Sequence, residues 1–316
     1  MPINRILTFL LLTLNVYTAN AEPLIKEVSG IVRLGDKLLI VADGDLENYY
    51  EYDISNLDSR HIVLSEVNRI QKKQIIKTKL HVDFESIDML ADGEVIVLSE
   101  RLRSLVSAGG TIISYPSRFG EYAQVGLEGL TSRPTSGVPG SYDIAVLWEG
   151  GYPESRYLPS EAALPTQAFR PVVITHTVND GKVSRPFTEI VLNTDSLSKW
   201  VDEKEPKGKE PHAFRFRAPD LVWHRNGFIV LLSGVRMPSD DDSSLYGPVV
   251  LQRFDLTGEP IGDPFELTPE LKALKVPGDK NWEGLAWYDQ GKTLMLVNDD
   301  GREDAHVPLI RIPLDW

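Results

Sequence analysis

Trp282-Glu283-Gly284-Leu285-Ala286-Trp287, followed by Lys292-Thr-Leu-Met-Leu-Val-Asn298, is the stretch that decides the fold. An acid and a glycine open a short apolar stretch. The turn Tyr288-Asp-Gln-Gly then leads into a strongly apolar strand. Glycine at such a turn supplies the positive φ that tight hairpins need. The pattern occurs four more times. It reads Val28-Ser29-Gly30-Ile31 with Lys37 to Asp43, then Phe84-Glu85-Ser86-Ile87 with Glu94 to Glu100. It continues as Leu127-Glu128-Gly129-Leu130 with Tyr142 to Glu149, and Pro219-Asp220-Leu221-Val222 with Gly227 to Ser233. Weaker alternating strands follow, such as Pro171–Val178 with Pro186–Leu192 and Pro248–Asp255 with Pro264–Thr268. Repetition of four antiparallel strands predicts an all-β, five-bladed β-propeller.

The interval from Glu128 to Asp220 leaves room for a sixth blade. However, Thr194 to His212 is dominated by Asp, Glu, Lys and Pro and offers no pair of apolar strands, so five is the expected number. The last unit lacks a fourth strand before Trp316. Pro23–Glu27, directly ahead of the first inner strand, is expected to supply it and close the ring, leaving no sheet edge between the ends.

Residues 1–21 read as a secretory signal. Arg5 gives a positive start, Ile6 to Val16 is mostly apolar, and Ala19-Asn20-Ala21 offers the small-x-small cleavage pattern. The stretch is too short to span a membrane, and no later run approaches spanning length. The expectation is one propeller domain over 22–316, monomeric and periplasmic or secreted. Cysteine is absent, so the fold must rest on its core, and thiolate metal sites and cysteine nucleophiles are excluded. The formal charge of −13 repels phosphate backbones and argues against nucleic-acid partners, while favouring bound cations.

Blade geometry sorts the connections between two faces. The long irregular stretches Gly150–Arg170, Thr194–Phe216, Val235–Gly247 and Leu267–Asn281 all belong to the face where the innermost strands begin. Long loops on a rigid scaffold are where binding residues concentrate. Aligning the five units places Ser29, Glu85, Glu128, Asp220 and Glu283 at one position, the start of each channel-lining strand. Carboxylates converging there repel. At roughly 6 Å and an effective dielectric near 20, each like-charged pair costs about 3 kcal/mol. Their pKa values rise, or a cation sits among them. Oxygen-only donors suit a hard ion, with Ca²⁺ the best fit. The structural alternative is that each carboxylate caps backbone N–H groups where its strand begins.

Further polar groups follow the second strands onto the same mouth: Asp43, Glu100 with Arg101, Glu149, Arg236, and Asp299 with Arg302. Arginines beside a metal can clamp an anionic group bidentately. The units at 282–299, 84–100 and 127–149 resemble blades of the phytase-like ("esterase-like activity of phytase") propellers and of the related SdiA-regulated envelope proteins. The acidic column is similar to that of the calcium-activated nucleotidases, the apyrases. It departs from their pattern at Asp220, where a serine is expected. The resemblance implies that Ser29, Glu85, Glu128, Asp220 and Glu283 ligate a calcium ion.

No Gly-x-Ser-x-Gly elbow or phosphate-binding Gly-rich loop occurs. His61, His81, His176, His212, His224 and His306 show no metal-ligand spacing. Two functions remain open. One is a calcium-dependent hydrolase of ester or phosphoester substrates. There Arg101, Arg236 and Arg302 would hold a small anionic substrate, with Asp43 and Asp299 lining its site, and Glu100 or Glu149 would act as general base. The other is a binding propeller that docks a protein or envelope glycan around a structural ion.

Overall fold

Leu38 to Ala42 is apolar at every position, and each of these side chains is buried. A strand of this kind needs a packing partner on both faces, and a ring of blades supplies one on each side. The computed structural model describes residues 27–316 except 44, 46, 56–59, 65–68, 78–81, 121–125, 151–169, 180, 184–185, 198–199, 201–212, 238–245, 276–280, 300–305 and 314–315.

Five antiparallel sheets form. The first contains β1 (Val28–Leu34), β2 (Lys37–Ala42), β3 (Asn48–Asp53) and β5 (Arg69–Gln74), with β4 (His61–Val63) lying between β3 and β5 in sequence. The second contains β6 (Phe84–Met89), β7 (Val95–Ser99), β8 (Ser104–Ser107) and β9 (Gly110–Ser114). The third contains β10 (Leu127–Pro134), β11 (Ser141–Trp148) and β12 (Val172–Asn179). Its outer edge is divided between β13 (Lys182–Val183) and β14 (Thr188–Val191). The fourth contains β15 (Ala213–His224), β16 (Gly227–Met237), β17 (Tyr246–Asp255) and β18 (Pro260–Glu266). A short helix, α1 (Thr268–Ala273), precedes the fifth, which holds β19 (Asn281–Asp289), β20 (Thr293–Asp299) and β21 (His306–Arg311).

The five apolar clusters correspond to the five seams between blades. Leu39 and Val41 face the second blade, against Phe84, Ile87 and Val97. Leu38 and Ile40 face the fifth, against Met295 and Val297. Ile96 and Leu98 meet Ile144 and Val146, and Ala145 and Leu147 meet Phe228 and Val230. Ile229 and Leu231 meet Leu294 and Leu296. The period-two alternation of a strand thus divides each apolar run between two seams. Fully burying one such side chain is worth about 1.5–3 kcal/mol.

Five blades are observed, and the described residues of the long third unit form no sixth. Ring closure differs from the expectation. The fourth strand of the last blade is β4, which pairs antiparallel with β21 through Val63–His306, Ile62–Val307 and His61–Pro308. A segment inside the first unit therefore reaches across to complete the fifth. Residues 23–26 of the strand expected there, like the signal segment 1–21, lie outside the described residues, and Glu27 precedes β1. No helix among the described residues is long and apolar enough to cross a membrane.

Ile62 is 1% exposed and packs with Tyr52, Leu64 and Val307 at this closing seam. Ile62→Ala is expected to lower unfolding free energy by about 2–5 kcal/mol. Urea unfolding followed by tryptophan fluorescence measures this. A loss below about 1 kcal/mol would show that the ring does not depend on β4.

Candidate metal and anion site at the channel mouth

Each innermost strand is interrupted where it enters the channel mouth. The register between first and second strands shifts between Val28 and Gly30, Phe84 and Ser86, Leu127 and Gly129, and Trp282 and Gly284. A bulge leaves one residue outside the ladder and re-aims its side chain. Those residues are Ser29, Glu85, Glu128 and Glu283.

The fourth blade places its residues differently from the sequence alignment. Its shift lies between Arg217 and Asp220, with Asp220 opposite Leu231. Asp220 therefore occupies the position of Gly30, Ser86, Gly129 and Gly284, and Pro219 takes the bulge. The close approaches agree. A β carbon on Gly30 would lie 2.6 Å from Ser86 Cα, and one on Gly129 would lie 2.9 Å from Asp220 Cα. Asp220 does not join the other acids. Its carboxylate accepts hydrogen bonds from the backbone N–H of Leu221 (2.8 Å) and Leu285 (2.6 Å), tying the fourth blade to the fifth. The structural alternative, a backbone cap, is what this residue does. Burial pushes its pKa up, partly offset by these amides and that of Leu130.

The remaining acids converge. Burial first, then Glu128, Asp43, Glu283 and Glu100, raise the Glu85 pKa well above the carboxylate range. Burial and the neighbouring carboxylates Glu149, Glu100 and Glu283 do the same to Glu128. Glu100 is raised by burial and by Asp83, against the pull of Arg101 and Arg217. Burial lifts Glu149 to about 7 despite Arg217. Carboxylate oxygens of Asp83, Glu85 and Glu100 all lie within 4.8 Å of one another. Glu85 is only 6% exposed, and no hydrogen bond is among the leading influences on its carboxyl group.

Ser29 is buried, and its hydroxyl hydrogen-bonds to Asp43 and to the Glu27 carbonyl (3.3 Å). Arg101 is exposed beside Glu100. Arg236 lies in β16 and Asp299 in β20, where it pairs with Asn281, but their side chains are not among those described. Arg302 and most of the long connections are outside the described residues.

Three contributors escaped the sequence alignment. Arg217 reaches into the mouth from the position that Asp83 and Asn281 hold in their blades. It ion-pairs with Glu149 (Nε–Oε2 2.9 Å) and Glu283 (Nη2–Oε1 3.2 Å), joining the third, fourth and fifth blades. Asp83, two residues before Glu85, completes the acidic triad. Gly126 has the equivalent place in the third blade, where a β carbon would collide with the Glu100 carboxylate. The signal available was a second repeat column two residues upstream of the acids.

At the other end of the channel lies a cavity of about 190 Å³, lined by residues including Arg33, Asp88, Thr131, Ser132, Trp287 and Gln290. Burial raises the Asp88 pKa to about 6 while the N–H groups of Met89 and Ser132 hold its carboxylate.

No family model and no curated protein matches the chain. Among solved structures it is similar to glutaminyl cyclase from Myxococcus xanthus, at 9% identity and a TM-score of 0.43, over 91% of this chain and 92% of that one. It is similar to a gluconolactonase from Xanthomonas campestris, at 11% identity and a TM-score of 0.42, over 91% and 87%. A catalytically inactive virginiamycin B lyase from Staphylococcus aureus, with quinupristin, gives 11% identity and a TM-score of 0.38, over 91% and 96%. These are similarities of fold, so the roles of the mouth residues rest on this chain alone.

The acids bind protons more tightly in the folded chain than in the unfolded one. The stability they contribute is fully present below the unfolded pKa near 4.5. It is lost as pH rises through the folded values, about 7 for Glu149. In chelator, the Tm is expected to fall between pH 5 and pH 8. Arg217→Met should cost about 3 kcal/mol more at pH 8, by stripping the buried Glu149 of its partner. A Tm that rises over this range, or an Arg217→Met penalty equal at both pH values, would contradict the assignment.

Proposed function

We propose that the protein is an exported, calcium-dependent hydrolase of ester or phosphoester substrates, working at the acidic mouth of the channel. The observation that carries this reading is the buried carboxylate of Glu85 held beside Asp83 and Glu100. Among the described residues the group is three carboxylates without nitrogen or sulfur donors, a set that fits a hard cation. Asp83, Glu85 and Glu100 would hold it, with Glu128 facing them. When bound, calcium would supply Lewis-acid polarisation of the substrate oxygen.

The chain's own groups account for the rest. Glu149, raised to about 7, is balanced between its protonated and ionised forms near neutral pH. It would take a proton from the attacking water and return it to the departing oxygen. Arg217, beside it, would place positive charge against an anionic substrate group, with Arg101 at the rim. Asp43 is engaged with Ser29 and contributes charge rather than a contact.

The ion pairs of Arg217 support a second reading. They brace three blades together, as a non-catalytic propeller with a structural ion and a protein or glycan partner would require. Turnover separates the two. The mature protein is assayed on nitrophenyl esters and phosphates with Ca²⁺ and with chelator, and its melting is followed in parallel. The hydrolase reading expects calcium-dependent turnover, lost in Glu149→Gln. A raised Tm without turnover supports the binding reading. At a hundredfold excess over Kd, calcium should add about 2.7 kcal/mol of stability. The double variant Glu85→Gln/Glu100→Gln is expected to abolish that gain. Unchanged melting in calcium would defeat both readings.

A further inference from the structure

His61 and His306 stand 245 residues apart in the sequence, and folding brings their rings together. His61 opens β4 and His306 opens β21, the two strands that close the ring. Nε2 of His61 lies 2.8 Å from Nδ1 of His306. The ring centroids are 4.9 Å apart and the planes are inclined by 22°. Nitrogens so much closer than the centroids must lie near the line joining the two rings. Each in-plane lone pair therefore points towards the other nitrogen. One proton between them makes a hydrogen bond, and there is no room for two.

The same pair of lone pairs suits a borderline divalent metal ion. Imidazole binds zinc at about 2.0–2.1 Å, and tetrahedral coordination would set the two nitrogens about 3.3 Å apart. To exchange the shared proton for the ion, the pair must open by about half an ångström and each ring must turn by about 35°, so that the lone pairs meet at the metal. Burial and the facing His306 hold the His61 pKa below the usual histidine range, which favours the neutral ring a metal requires. The His306 main-chain N–H donates to the side-chain oxygen of Asn298 (2.9 Å), fixing the start of its strand.

We propose that His61 and His306 form a site for a divalent metal ion of the zinc class, which staples the closing strand β4 to β21 of the last blade. The joint stands to gain from such a link. β4 meets β21 through three register pairs, one of them at Pro308, which has no N–H to donate. Two imidazoles select against calcium, a hard ion that prefers oxygen, so this site is chemically separate from the channel mouth. Water completes the coordination.

The test uses mature, tag-free protein stripped with chelator and titrated with Zn²⁺ alone by calorimetry, with melting curves in parallel. One equivalent of zinc is expected to bind and to raise the Tm by several degrees. Ca²⁺ and Mg²⁺ should not compete for it. His61→Gln and His306→Gln should each weaken zinc binding at least about tenfold and remove the Tm rise, while any response to calcium is retained. Should either variant fail to fold, imidazole resonances of the wild-type protein decide the matter. Zinc must shift those of His61 and His306 and leave His176 and His224 in place. Absence of zinc binding, binding that survives both substitutions, or shifts confined to other histidines would overturn the proposal.

Discussion

The inner strands approach the channel axis so closely that several positions tolerate no β carbon, and the chemistry of the mouth follows from that crowding. Gly30 faces the backbone of Ser86, Gly129 that of Asp220, and Gly284 the carbonyl of Ser29. Small residues let five strands converge, and the bulge beside each one turns its side chain out of the ladder. Three of the turned residues are glutamates. What they face is a shared, poorly hydrated volume in which each additional negative charge opposes the others. Packing holds the blades together at the seams, and electrostatic repulsion sets the terms at the axis.

The channel answers this repulsion in two ways. Lower down, Asp220 and Asp88 hand their charge to main-chain N–H groups, and each ties one blade to the next. Such a carboxylate is part of the scaffold. At the mouth, Glu85 and Glu128 are shifted by burial and by other acids, with no hydrogen bond among the leading influences on either pKa. All four are carboxylic acids, and the difference lies in which donors the strand geometry brings within reach. Without a countercharge the raised pKa values of Glu85 and Glu128 favour the protonated form; the ionised form needs an ion or, at Glu128, the help of Arg217.

The sequence allowed the seams to be read because they depend on composition and period. A run such as Leu38 to Ala42 has few alternatives to a strand buried on both sides. Glu85, Glu128 and Glu283 could be aligned for the same reason, since a small residue follows each acid. Asp220 misled the alignment because Pro219-Asp220-Leu221 resembles the motif one residue out of step, and only the strand register reveals the slip. β4 was missed because three residues carry too little periodicity to register as a strand, and its partner is remote in the chain. Arg217 lies outside the acidic column and breaks its residue type, although its place in the repeat is regular.

The irregular fourth blade also gives the ring a direction. Five equivalent acids would spread negative charge evenly around the axis and leave no preferred place for an ion. Arg217 breaks that symmetry by pairing with Glu149 and Glu283, on the two blades flanking its own. Its charge lowers the pKa values of Glu100, Glu128 and Glu149, but it is not among the leading influences on Glu85. The least compensated charge therefore gathers at the second blade, where Asp83, Glu85 and Glu100 lie together. One cationic substitution in a repeated unit is enough to turn a diffuse ring of repulsion into a mouth with a partly neutralised side and a more negative side.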